Sequence, residues 1–353
     1  MKRKSEIWAL ILLIHMAFLN GQEGLVGYWS FDSLAENQFL DLSGQGNHGF
    51  IFGATQVMGI KGNALSFDGQ NDYAVIGEEE NPPQIYQDLS EGTISLWFRV
   101  DHIPRFHGIA PLFYYGGLAQ CDYFDAANQG LILEVGHSPV HFESERLYFT
   151  IWKNGCTYPS FCFDSNNPIK EEQWYHLAVV VGSDFNTGFL NGYEIDNRRY
   201  NFGNASYSQF FEDALRHEVL WLGRGHWDRT VQYLKGAIDE LRIYNRALSA
   251  EEIENIYLEN TGTVGISAGQ IEKENRAHIF PNPAYSDLRY DIRRSGLEIT
   301  GYSISDLNGK ILRSVNTRDK TGMITVKGLS PGLYNLGFRA GDRVHFQKLL
   351  IEE

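Results

Sequence analysis

"DLSGQGNHGF", residues 41–50, sets Gly44, Gly46 and Gly49 in the spacing G-x-G-x-x-G, and its reading decides the fold. Asp68 follows at about the distance where a dinucleotide-binding unit carries its ribose-binding acid. That unit also needs a helix directly after the glycines, so that the helix N-terminus faces the pyrophosphate. The chain continues instead as "FIFGATQVMGIKGNALSFDG", residues 50–69. Gly53, Gly59 and Gly62 interrupt any helix, and the apolar residues lack a 3.6-residue period. Short apolar pieces closed by turn residues are strands and turns. The nucleotide reading fails, and the three glycines belong to a tight loop between strands.

The same pattern extends in both directions. "GTISLWFRV" (92–100) alternates, and "GLILEVG" (130–136), "RLYFTIW" (146–152), "QWYHLAVVV" (173–181) and "VLWLGRG" (219–225) are similar short runs between Gly, Asn, Asp and Pro clusters. "FLNGYEI" (189–195) places Asn191-Gly192 between apolar runs, a strong hairpin signal. One helix is expected in "LSAEEIENIYL" (248–258), where Ser249 and Glu252 form a capping box and Ile253, Ile256 and Tyr257 an apolar stripe. Many short strands over more than two hundred residues predict an all-β fold, a large sandwich or jelly roll.

Bulk composition agrees. Aromatic residues reach 14% and glycine counts 36 in 353 residues, with charged residues at 21%. The net charge of −14 leaves nothing to neutralise phosphates, so no nucleic-acid partner is expected. "MKRKSEIWALILLIHMAFLNG" joins a basic start to an apolar stretch too short to span a bilayer, so residues 1–21 read as an export signal. No later segment is expected to cross a membrane. In an oxidising compartment Cys156 and Cys162 are candidates for a small disulfide loop. Pairing of Cys121 with either of them stays open.

"GLVGYWSFD" (24–32), "DLSGQGNHG" (41–49), "GNALSFDGQNDYAVI" (62–76), "QWYHLAVVV" with "GFLNGYEI", and "LKGAIDELRIYNRALSAEEI" (234–253) resemble, in order, the motifs of LamG-like jelly-roll domains. These belong to the concanavalin A-like lectin/glucanase group. The resemblance covers residues 22–260 and departs from the pattern between Gly117 and Pro168, a long insertion holding all three cysteines. Residues 261–277 are polar and without period, which suits a linker. Beyond them, Pro281-Asn282-Pro283, "DLNGK" (306–310) and "GLSPGLY" (328–334) resemble a type A sorting domain of type IX secretion, over residues 278–353. This second resemblance implies a small immunoglobulin-like β-sandwich, handling by the type IX machinery, and a Bacteroidetes-type host with the protein at the cell surface or released.

The group includes glucanases, so catalysis must be weighed. Retaining hydrolysis needs two carboxyl groups about 5 Å apart. Glu194 and Asp196 alternate suitably, but Arg198 stands where a further acid should be, and Glu134, Glu143 and Glu145 lack tight alternation. His176 reads as a packed core histidine. No catalytic residues are expected.

A structural calcium ion is expected instead, since the family often carries one. Asp32, Asp41, Asn47 and Asp239 supply hard oxygens in turns or at strand ends, with Gly44 and Gly46 letting carbonyls turn inward. For ligand contact, Trp152, Tyr158, Trp221, Trp227 and Tyr233 fall in or near loops, beside Arg224, His226 and Asp228. Trp29, Trp97 and Trp174 read as core. The expectation is an exported, non-catalytic binding module with a carbohydrate ligand; a glycoside hydrolase and a protein-binding adhesin are the alternatives.

Overall fold

The computed structural model describes residues 23–104, 108–118, 130–136, 146–152, 159–163, 169–195, 208–214, 216–227, 230–260, 277–280, 282, 284, 287–293, 297–307, 309–341 and 343–351. The chain divides into two compact units, residues 1–257 and 258–353. Among the described residues it is almost entirely antiparallel β-structure with one α-helix, Ala250–Asn260.

The first unit is a two-sheet jelly roll. Gly92–Val100 and Lys235–Tyr244 lie side by side at the centre of an eight-stranded sheet, flanked by Trp174–Val181 on one side and Asn63–Asp68 on the other. The second sheet has nine strands, with Leu131–Gly136, Ile109–Gly116, Val219–Leu222, Tyr73–Ile76 and Gly49–Phe52 as successive neighbours. Alternate side chains of both sheets, among them Ile94, Leu96, Phe98, Phe113, Leu133 and Leu177, meet in one core. At about 25 cal/mol per Å² of apolar surface, this interior is the main driving force for folding.

Local chemistry explains the turns. Asn191 and Gly192 have φ of 54° and 79°, the two left-handed residues that a tight hairpin requires. Ser249 and Glu252 close the expected capping box: the Glu252 amide donates to Ser249 Oγ at 3.3 Å and the Ser249 amide to Glu252 Oε2 at 2.8 Å. The helix then lays Ile253 and Ile256 on Ala178, Val180 and Tyr244 of the eight-stranded sheet. Trp97 and Trp29 are buried as expected. Trp174 is not: it is only half-buried, with the Arg99 guanidinium 5.5 Å above its ring.

The glycines of residues 44–49 serve separate purposes. Gly44 and Gly46 have φ of 85° and 78°, and the loop they shape closes on Asp41. Asp41 Oδ1 accepts the Tyr28 and Ser43 amides at 3.1 and 2.8 Å, and Oδ2 the Asn47 amide at 2.9 Å. Gly49 is needed for close approach, because a Cβ there would lie 2.1 Å from the Phe39 ring.

The second unit has its own core, including Tyr290, Ile304, Ile324, Leu336, Phe338 and Leu349. It packs a three-stranded sheet, with Asp287–Asp291 central, against a four-stranded one in which Gly301–Ser305 and Gly332–Ala340 are central. Asn282, between two prolines that have no N–H to offer, pins the last strand: its Oδ1 accepts the Leu350 amide and its Nδ2 donates to the Lys348 carbonyl, at 2.8 and 3.1 Å.

Candidate functional site

The face of the nine-stranded sheet that points away from the main core carries a second apolar cluster: Val75, Ile109, Tyr114, Ile132, Val219 and Trp221, with Phe52 and Tyr73 packed against it. Strand register assembles it. Trp221 lies opposite Tyr114 on one side and Val75 on the other, and Phe52 lies opposite Tyr73. Trp221 stacks on Tyr114 at 5.4 Å and 26°, and Phe52 on Tyr73 at 4.7 Å and 5°. Such cross-strand aromatic pairs are worth about 0.5–1.5 kcal/mol each beyond their buried area.

A hairpin folds back over this face. Gly223, at φ 72°, turns the chain out of the sheet, and Arg224–Trp227 then pairs with Thr230–Tyr233. Gly225 lets the hairpin lie flat, since a Cβ there would sit 2.9 Å from Pro111 and 3.2 Å from Ile132. Arg224 is thereby set among rings, its Cζ 4.1 Å from the Trp221 centroid, 4.7 Å from Tyr73 and 6.0 Å from Tyr233. Phe52, Tyr73, Arg224, Gln232 and Tyr233 are each half-buried, so they form the accessible part of the face. Tyr73 donates its hydroxyl to Glu79 at 3.1 Å.

Beneath them, polar atoms are buried without a described partner: Trp221 Nε1, Arg224 Nε, both ring nitrogens of His226, and Glu134 Oε2. Glu134 follows Ile132 on the same side of its strand, whereas Leu131, Leu133 and Val135 point to the main core. Burial pushes the Glu134 carboxyl up to about 8, so it is neutral at pH 7. Burial, and then the Arg224 charge, pull the His226 imidazole down to about 4, so it too is neutral. Native interiors seldom leave such groups unpaired. Together they put hydrogen-bonding groups beside an aromatic stacking surface on one face.

A model of the concanavalin A-like lectin/glucanase superfamily matches residues 68–254, more than half the chain. The chain belongs to this superfamily. A secretion-system C-terminal sorting domain matches residues 278–352. The concanavalin A-like domain is therefore cargo of the type IX system of Bacteroidetes-type bacteria, placed on the surface or released. No curated protein sequence matches the chain. Among solved structures, domain 4 of AbnA, a GH43 extracellular arabinanase from Geobacillus stearothermophilus, in complex with arabinotriose, is 19% identical. The match covers 66% of this chain and 98% of that one at a TM-score of 0.46. A mutant of Trypanosoma rangeli sialidase displaying trans-sialidase activity is 16% identical over 67% of this chain and 33% of its own, at a TM-score of 0.47. The superfamily holds both glycosidases and non-catalytic modules, and identities this low speak only to the fold.

Within this domain the residues expected to contact ligand divide. Tyr233 stands at the exposed side of the Arg224 cluster. Trp221 is fully buried in a strand rather than in a loop, covered by Arg224 and His226, so it supports the face and does not touch a ligand directly. Trp152 ends the strand Arg146–Trp152 and Trp227 the strand Arg224–Trp227, with their side chains outside the described residues. Tyr158, Asp228, Cys121 and Cys156 also lie outside the described residues, and with them the proposed pairing to Cys162, which sits opposite Thr150 in the strand Pro159–Phe163. Tyr73 and Phe52 were not singled out in the sequence as members of this face. Their only signal is the alternation that puts them on the same side of neighbouring strands.

The four expected calcium ligands do not converge. Asp41 has both carboxylate oxygens filled by backbone amides, as above, and Asn47 donates its Nδ2 to Val26 O and Tyr86 Oη at 3.2 and 3.4 Å. These two hold the loop of residues 41–47 through hydrogen bonds. Asp32 and Asp239 are elsewhere, gripping the turn of residues 59–62: Asp239 Oδ2 accepts the Ile60 and Lys61 amides at 2.9 and 3.2 Å, and Asp32 Oδ1 the Asn63 amide at 2.8 Å. Gly59 and Gly62 leave room for them, since a Cβ at either would collide with the carboxylate. A β-bulge between Asp239 and Arg242, with Glu240 at φ 51°, aims Asp239 at the turn. Among the described residues no group of three or more His, Cys, Asp or Glu is placed to hold a metal. Asp239 Oδ1 is nevertheless buried without a partner, and burial pushes the Asp239 carboxyl up to about 7.

Residues weighed for catalysis are dispersed. Glu194 lies at the edge of the eight-stranded sheet and accepts Thr187 Oγ1 at 3.0 Å, on a different sheet from Glu134. Asp196, Arg198, Glu143 and Glu145 lie outside the described residues. His176 is fully buried, with Nε2 2.9 Å from Ser95 Oγ, and burial holds it neutral, down to about 3.

Proposed function

We propose that this chain is an exported, non-catalytic glycan-binding module whose site is the hairpin-covered face of the nine-stranded sheet. The observation that supports it is the platform of half-buried Tyr73, Arg224 and Tyr233 over buried, unpartnered polar atoms of Trp221, His226 and Glu134. The apolar face of a sugar ring packs on an aromatic ring, while its hydroxyls satisfy donors and acceptors beside it. A glycan array probed with the full chain is expected to give selective binding with no hydrolysis. Binding to host or matrix proteins but to no glycan would favour the adhesin reading.

One observation favours a hydrolase: Glu134 is a neutral carboxylic acid beside the site, the protonation state that a general acid needs. Against it, no second acid is placed beside Glu134 among the described residues: Glu194 is on the other sheet, and Glu143 and Glu145 lie outside the described residues. Cleavage of any array member, lost in Glu134→Gln, would overturn the non-catalytic reading.

Calcium is retained as a proposal for Asp239 and Asp32 only, with Asp239 Oδ1 as the available oxygen. Protein stripped with chelator is expected to gain several degrees in melting temperature on adding calcium. At free calcium a hundred times the dissociation constant the linkage is about 2.7 kcal/mol, and a domain of this size shifts by about 2–4 °C per kcal/mol. Asp239→Ala should remove the gain. Melting that ignores calcium would eliminate the ion, leaving both carboxylates as turn clamps.

A further inference from the structure

Among the described residues Arg224 is a cation without a counter-ion. No hydrogen bond or ion pair holds it among the described residues, its Nε is buried without an acceptor, and it is half-buried on a chain of net charge −14. Acidic residues are abundant in the sequence, yet none of the described ones pairs with this position. Two carboxyl groups of the face are otherwise committed: Glu79 accepts the Tyr73 hydroxyl, and Glu134 is buried and neutral. His226, also neutral, adds no charge of either sign.

The rings around Arg224 explain how it tolerates this position. Trp221, Tyr73 and Tyr233 offer π faces that attract a guanidinium on more than one side. A guanidinium presents a fork of N–H donors that matches the two oxygens of a carboxylate or sulfate. A partly desolvated cation left unpaired in the free protein gains most from a partner of opposite charge.

Resting on the reading of this face as a glycan site, we infer that the ligand is an anionic glycan whose carboxylate or sulfate is gripped by Arg224 while its ring packs on Tyr73 and Tyr233. The acid group supplies the missing counter-ion, and the tyrosines supply the stacking surface that any sugar would use. Arg224 thus sets charge specificity and the tyrosines set general affinity.

The test uses the full chain and matched pairs: oligogalacturonate against neutral oligogalactose, and a sulfated galactan against its desulfated form, by titration calorimetry. The charged member of at least one pair is expected to bind tenfold or more tightly, with the advantage shrinking from 50 to 500 mM salt as charge pairing is screened. Which pair shows it separates carboxylate from sulfate. Arg224→Gln should erase the advantage, so that charged and neutral members bind the variant equally, while Tyr233→Ala should weaken both members and leave their ratio unchanged. If Arg224→Gln melts early, Arg224→Lys replaces it, expected to fold and keep only part of the preference because a point charge lacks the fork. Equal binding of charged and neutral members, or a preference that survives in Arg224→Gln, would overturn the inference and leave the glycan site standing. Binding of no glycan would overturn both.

Discussion

A chain lacking residues 278–353 is expected to accumulate in the periplasm as folded protein, while the full chain reaches the outer surface. The sorting match ends at residue 352 and begins at 278, so the deletion removes that domain whole. The jelly roll does not lose its interior, because each unit closes its own core: Ile94, Phe113 and Leu177 belong to one, Tyr290, Ile304 and Phe338 to the other. Secretion should therefore fall from nearly complete to nearly none without a loss of folding. Cell fractionation with a melting curve of the trapped product checks both halves. Truncated protein at the surface would contradict the sorting assignment, and truncated protein trapped as aggregate would contradict the independence of the two cores.

Stability should fall as pH rises from 6.5 to 8.5. Four buried groups decide the sign. His176 and His226 titrate at about 3 and about 4 rather than 6.5, so the unfolded chain binds protons that the native chain refuses, and stability rises with pH up to 6.5. Asp239 moves from 3.8 to about 7 and Glu134 from 4.5 to about 8, so the native chain keeps protons that the unfolded chain has lost. Their stabilising contribution is complete below the unfolded values and is lost as pH rises through the folded ones. Between pH 4.5 and 6.5 the two histidines and the two acids nearly cancel. Above 6.5 only the acids act, and Glu240, raised by its burial, adds to them.

At about 1.36 kcal/mol per pH unit for each group, Asp239 and Glu134 together remove roughly 3 kcal/mol from pH 6.5 to above 8. That corresponds to about 6–12 °C in melting temperature at about 2–4 °C per kcal/mol. Glu134→Gln cannot ionise and should abolish roughly two-thirds of the fall, with the mutant more stable than wild type at pH 8.5. Calcium on Asp239 would hold that carboxylate ionised and abolish the remainder. Melting in chelator at pH 6.5 and 8.5 checks the claim, and a flat or rising profile for the wild type would contradict the burial of these acids.

The fold was legible because its signals are local. Asn191-Gly192 demands two left-handed residues, Ser249 and Glu252 satisfy a helix start reciprocally, and both appear as read. The outer face of the nine-stranded sheet was not, because strands covered on both sides lose the alternation that marks an outward residue. Val219–Leu222 is buried at all four positions, with the core on one side and the Arg224–Tyr233 hairpin on the other. Trp221 therefore looked like a loop aromatic and proved to be a support. Asp41 and Asp239 looked like one ligand set because both are acids near the ends of the domain. Only three-dimensional pairing shows that backbone amides fill Asp41 while one oxygen of Asp239 is left over. Trp174 misled for the opposite reason: it begins a core strand yet stays half-buried, with the Arg99 guanidinium over its ring as a partial cover.

The measurement closest to the central claim is the affinity of the full chain, and of Tyr73→Ala with Tyr233→Ala, for the tightest glycan of the array. Two stacked rings at about 0.5–1.5 kcal/mol each predict a loss of roughly 5- to 150-fold in the double variant. Its melting temperature should stay close enough to wild type for the comparison to hold at 25 °C. Unchanged affinity in a folded double variant would show that the ligand binds elsewhere and that this sheet face is only a second core.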